Sequence, residues 1–167
     1  RFGTERAAVR ALIQKKHKED LQMFDNQNAG FYTLKVEGGE IIELKEGDID
    51  AAVFKVDSPD DADAKSNKMG IILEVSGKIL HGKNEEETKK LAKWALVPSG
   101  AKDVERKVTV ELVKANKVIR QYTFSHAFVV DYTESINEDG AGSFNLFLKQ
   151  DKAVSGGKVS VEGGYDK

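Results

Sequence analysis

Hydrophobic positions along this chain fall mostly into short runs with a period near two, the spacing of a β-strand. The most informative pair is Ala127–Thr133 and Ser143–Lys149, which flank the polar segment Asn137–Gly142. That pattern predicts a β-hairpin with a loop longer than the tight two-residue type. Asp139-Gly140 and Gly142 supply residues that tolerate a positive φ in that loop. Under strict alternation Phe128, Val130 and Tyr132 share one face, and Ala127, Val129 and Asp131 share the other. Phe144, Leu146 and Leu148 likewise oppose Asn145, Phe147 and Lys149. Neither strand separates cleanly into an apolar and a polar face. A strand that is apolar on both sides is covered on both sides. Either the hairpin lies within a closed barrel, or its outer face meets another molecule.

The rest of the chain is read in the same way. Thr4–Phe24 predicts a helix, with Thr4 as cap and Glu5 in the first turn. Val9, Ile13, His17, Asp20, Leu21 and Phe24 fall near one stripe with Leu12 beside it, and Lys15-Lys16 and Lys18-Glu19-Asp20 interrupt it. Such a helix serves its own domain or acts as an arm on a neighbour. Phe31–Val36 and Ile41–Lys45 flank a Gly38-Gly39 turn, and Ile49–Val56 follows. Asp57–Lys68 is polar throughout and predicts a long exposed loop. Met69–Leu80 predicts a strand, with Gly70 and Gly77 as bends or bulges. Asn84–Val97 predicts a helix, with Asn84 and Glu87 spaced as a capping box and Pro98 and Gly100 as a stop. Val108–Lys114 and Lys117–Phe124 predict a hairpin across Ala115-Asn116, and Lys158–Glu162 a last short strand. The expected fold is mainly β: a small β-barrel or two-sheet sandwich with one embedded helix and an N-terminal helix. Residues 1–30 are expected to form a helical arm and residues 31–167 the β domain.

Composition narrows the function classes. The chain has 167 residues, 40% of them hydrophobic, enough for one domain with a core. A net charge of −2 gives no strong pull towards nucleic acid or anionic lipid. With no cysteine there is no disulfide, thiolate metal site or cysteine nucleophile. No apolar run is long enough to span a bilayer as a helix. The sequence opens on Arg1 without a signal-peptide core, which leaves removal of a leader open.

Candidate chemistry is sparse. Ser125 and His126 are adjacent on a predicted strand, so their side chains are expected on opposite faces, unable to act as nucleophile and base. Asp57, Asp60, Asp61 and Asp63 lack the spacing of an EF-hand and read as a solvated loop. His17 and His81 have no other soft ligand near in sequence. The glycine pairs precede no helix, so no phosphate cradle is expected. Lys102, Arg106 and Lys107 read as a solvated basic run, and Leu91 and Trp94 as core. No catalytic residue, cofactor or metal is expected, and a peptidase is the weakest of three readings. The others are a structural subunit and a monomeric secreted or surface-attached binding module.

The order of parts is more telling than any residue. A strand, a short helix, a hairpin and a long closing hairpin follow in series from Met69 to Gln150. Ala127-Phe-Val-Val-Asp-Tyr-Thr-Glu134 and Gly142-Ser-Phe-Asn-Leu-Phe-Leu-Lys-Gln150 resemble the closing strands of the tube proteins of contractile injection systems. That family includes the haemolysin-coregulated tube protein of type VI secretion and phage tail-tube proteins. The resemblance covers about half the chain, and the N-terminal helix departs from the simplest members. It implies a β-barrel with a helix at its side. It further implies rings, usually hexameric, stacked around a channel, with tail or sheath components as further partners. Assembly in a bacterial cytoplasm and delivery as part of a particle would follow. On this reading the subunit interface draws on Leu12, Ile13 and Leu21 of the helix, Asp60 and Asp61 of the loop, and Val129 and Phe147 of the closing hairpin.

Overall fold

A computed structural model describes residues 2–60, 69–152 and 158–167, with the backbone alone at residues 2 and 21–28. The chain divides into two compact units, Arg1–Gly30 and Phe31–Lys167. Each is described by itself.

The first unit is one helix, α1, spanning Phe2–Asn28. It runs past both ends of the expected Thr4–Phe24, so Thr4 lies inside it rather than capping it. Residues 3–20 are all exposed, including Val9, Leu12 and Ile13. Lys15 and Glu19, 4.0 Å apart, stand at the i,i+4 spacing that adds slight support on a solvated face.

The second unit is mainly β, as the alternating runs require, with one embedded helix. Its strands are β1 (Phe31–Glu37), β2 (Ile42–Leu44), β3 (Ile49–Asp57), β4 (Gly70–Ile79), β5 (Arg106–Lys114), β6 (Lys117–Ile136), β7 (Gly142–Gln150), β8 (Val159–Glu162) and β9 (Tyr165–Asp166). The helix α2 spans Glu85–Ala95. The strands form one antiparallel sheet in the order β2-β1-β5-β6-β7-β4-β3. β8 and β9 pair with the first half of β6. The sheet curls on itself, because Phe54 of β3 stacks on Tyr122 of β6 at 4.7 Å, three places away in the strand order. Its end strands β2 and β3 are not hydrogen-bonded to each other, so the barrel stays open.

The strand β6 carries the architecture. It is a single strand of 20 residues, where the sequence suggested two. Lys117–Ala127 pairs with β5 and Ala127–Ile136 with β7. Three irregularities fit the strand to both partners, one of them at Ile119, an extra residue between Leu112↔Arg120 and Val113↔Val118. Ser125 and His126 together oppose Lys107, and Val130 is an extra residue between Val129↔Leu148 and Asp131↔Phe147. Each bulge shifts the in-out phase by one residue. Phe124, Ala127, Val129 and Tyr132 therefore all reach the core. The shared face expected for Phe128, Val130 and Tyr132 is broken at Val130.

One hydrophobic cluster fills the curl. Leu34, Val36, Leu73, Val75, Val108 and Leu146 contribute from the strands, and Leu91 and Trp94 from α2. Each fully buried aliphatic side chain of this kind contributes about 1.5–3 kcal/mol relative to exposure. Gly77 of β4 allows close packing, since a Cβ there would run into the Asp48 carbonyl and the Phe144 ring.

The start of α2 is tied differently from a capping box. Asn84 makes no side-chain cap. Its Oδ1 accepts from Leu80 N at 2.7 Å and its Nδ2 donates to the Lys78 carbonyl at 2.8 Å, fastening the turn to β4. Glu87 accepts from Glu43 N of β2 at 2.7 Å instead of reaching back to Asn84. The helix is held by strands on both sides, and those contacts win over the local cap.

Arg106 is also corrected. It is 4% exposed rather than solvated. Its Nε donates to the Asp103 carbonyl at 2.8 Å, and its guanidinium lies 5.2 Å from the Trp94 ring centre. Burial pulls its pKa down, and Asp103 pulls it back up.

Candidate functional site

The sheet's outer face is built from the residues that the interior alternation leaves over. Across β3, β4, β7 and β6, one row reads Lys55, Ile72, Lys149, Phe128. The next reads Val53, Glu74, Phe147, Asp131. Apolar and charged side chains thus alternate in both directions, with both cations in one row and both anions in the other. Val53 is 52% exposed and the bulged Val130 47%, while Phe128 and Phe147 are half-buried. Ile72 is buried but is not part of the interior cluster. Its cross-strand neighbours are Lys55 and Lys149, whose aliphatic stems can lie along an apolar side chain while the ammoniums stay in water. Lines of apolar side chains bordered by opposite charges suit a protein partner better than a bare apolar patch does.

Beside this face, Ala92, Ala95, Leu96, Val129, Val130 and Tyr132 line a groove between α2 and β6. Leu96 is 81% exposed at its mouth. The Tyr132 hydroxyl donates to Glu134 at 2.8 Å, and burial followed by that carboxylate pushes the phenol's pKa up.

The residues expected at an interface are placed as follows. Phe147 faces outward, between Glu74 and Asp131. Val129 packs against the core, on the opposite side of the sheet from Phe147. The neighbouring Val130 takes the outward place, which strict alternation could not assign because the bulge is set by pairing. Leu12 and Ile13 are exposed on α1. Asp60 is exposed, while Asp61 and the Leu21 side chain lie outside the described residues, as does most of the Asp57–Lys68 loop.

Ser125 and His126 correct another expectation. His126 Nδ1 and Ser125 Oγ are 3.1 Å apart, within hydrogen-bond reach, because the bulge turns the two side chains out of simple opposition. The same hydroxyl accepts from Lys158 N at 2.6 Å and from Gln150 Nε2 at 3.2 Å. Gln150 Oε1 accepts from His126 N at 3.1 Å. A serine hydroxyl has one proton to give and two lone pairs to receive with. All three are engaged here, in fastening β6, β7 and the segment leading into β8. Nearby, Glu105 shares a hydrogen bond with Asp151, which pushes its carboxyl pKa up.

Among the described residues, no group of three or more His, Cys, Asp or Glu could hold a metal ion. None of the described helices is long and apolar enough to cross a membrane.

No family model matches the sequence, and no curated protein matches it. Solved structures do. The sheath–tube complex of the extracellular contractile injection system PVC, in its extended state, includes a chain 13% identical with a TM-score of 0.46, over 80% of this chain and 89% of that one. Hcp1 from Salmonella typhimurium is 16% identical with a TM-score of 0.47, over 81% of this chain and 95% of that one. Hcp1 from Flavobacterium johnsoniae is 18% identical with a TM-score of 0.50, over 82% of this chain and 99% of that one. The curled sheet and its side helix are thus a tube-protein fold, similar to that of Hcp1 from Flavobacterium johnsoniae.

Proposed function

We propose that this chain is a structural subunit that assembles with copies of itself into rings or a tube of a phage-tail-like or secretion particle. The fold supports this reading, and so does the closing hairpin's resemblance to tube-family strands. The observation that carries it is the outer face. Phe147, Phe128, Val130 and Val53 are more apolar surface than this sheet needs outside its own core. A head-to-tail ring covers such a face with a neighbour and shields strand edges at the same time. The row of Lys55 and Lys149 beside the row of Glu74 and Asp131 would fix the register of the neighbour, since like charges in juxtaposition are rejected. Leu12 and Ile13 give α1 an exposed apolar pair that would reinforce the joint. Hexameric rings, sheath or tail partners, and life as part of a particle follow from the family resemblance. The chain is proposed to have no catalytic role, and Ser125 and His126 serve to join strands. Negative-stain imaging of the purified protein tests the reading. Annular particles support it, and a field of small compact particles at micromolar concentration refutes it in favour of a monomeric binding module.

A further inference from the structure

A cavity of about 370 Å³ opens between the β2–β3 turn and the start of α2. Its walls are held firmly. Asn84 is tied to Leu80 and Lys78, and Glu87 accepts from Glu43 N and from Lys90 Nζ, both at 2.7 Å. Three other lining groups are not so engaged. Asp48 is 5% exposed, and its Oδ2 accepts from Lys45 N at 2.8 Å. Its Oδ1 is buried with no hydrogen-bond partner among the described residues, where it is the one such side-chain atom. Lys45 and Lys83 also line the cavity, and neither ammonium donates to a described residue.

A buried carboxylate oxygen without a donor is unfavourable, and native folds rarely keep one without a role for it. We propose that this cavity binds a small carboxylate with a hydroxyl or amino group on the adjacent carbon, as in an α-hydroxy or α-amino acid. The lysines take the ligand's carboxylate, and Asp48 Oδ1 takes the adjacent O–H or N–H. A bare anion would bring no donor to Asp48 Oδ1. A bare alcohol would bring no negative charge to the two ammoniums. No aromatic ring lines the cavity to stack a sugar or a base. Asp48 Oδ1 is covered in the ligand-free arrangement. Binding therefore includes a side-chain shift that uncovers this oxygen.

The site does not rest on the assembly reading and is tested on the full chain by calorimetric titration. Glycolate and glycine are the probes for the two ligand types, with acetate and ethylene glycol as single-group controls. One of the two probes is expected to bind in the millimolar range, at least about tenfold tighter than either control. Which one binds identifies the source. Lys83→Gln removes one of the two ammoniums and should weaken binding about tenfold. Asp48→Asn should remove the preference over acetate. Absence of saturable binding by both probes, acetate binding as tightly as either, or unchanged affinity in Lys83→Gln each overturns the proposal.

Discussion

The guanidinium of Arg106 lies 5.2 Å from the centre of the Trp94 ring and joins the start of β5 to α2. Trp94 Nε1 donates to the Val104 carbonyl at 2.9 Å on the same short connection. Gly39 completes the packing, because a Cβ there would stand 2.7 Å from the guanidinium.

Arg106→Ala is therefore expected to cost on the order of 2–4 kcal/mol, through lost hydrogen bonds, lost ring contact and a buried void. Gly39→Ala should cost less, about 1 kcal/mol, since the arginine can shift slightly to make room. Denaturant unfolding followed by circular dichroism measures both. An Arg106→Ala protein as stable as the parent would show that the buried cation is incidental.

The β5–β6 turn holds Ala115 at φ 51 and Asn116 at φ 59. Two central residues with positive φ make the turn whose twist matches a hairpin, and asparagine tolerates that region while alanine does so poorly. Ala115→Gly should raise stability by about 0.5–1 kcal/mol, the strain relieved less the added chain entropy. A lower melting temperature in Ala115→Gly would contradict the turn assignment.

Much of the second unit was legible because β1–β5 and β7 alternate and their turns carry glycine, asparagine or aspartate. Long β6 was not. Ser125-His126 looks like a break in the sequence, yet it is a bulge, and bulges are set by the partner strands. That is why Val129 and Tyr132 were expected on opposite faces, with Val129 at an interface, when both reach the core. Arg106 was misread because a short basic run says nothing of the tryptophan that will lie against it. Asp48 gave no signal at all, since an aspartate in a Glu-Gly-Asp turn is ordinary until its burial is known.

Glu87 links α2 to β2, and its acidity reports that link. Burial pushes its pKa up, but the Glu43 N–H and the Lys90 ammonium outweigh burial and leave it below the ordinary glutamate value. A depressed carboxyl stabilises the fold above its unfolded pKa, and the contribution fades as pH falls through the folded value. The melting temperature should thus drop on acidification below about 4.5 more steeply in the parent than in Glu87→Gln. Parallel pH profiles would show that the link contributes nothing.

Interface substitutions should separate by face. Phe147→Glu and Val130→Glu place a charge on the outer surface, so each is expected to stay folded while assembly is lost. Val129→Glu buries its charge against the core and should lower stability by several kcal/mol whether or not the protein assembles. Far-ultraviolet circular dichroism and size-exclusion chromatography on the three variants check the pattern. Loss of fold in Phe147→Glu would move that residue into the core and remove the central element of the proposed face.

The assembly claim itself is tested most directly by the mass of the particle in solution. Light scattering on the parent protein, over a range of concentration and salt, should give a discrete closed oligomer, a hexamer on the tube-family reading. Added salt should weaken it, because rows of lysine and carboxylate help set the register. A monomer mass at every concentration and salt level would contradict the account.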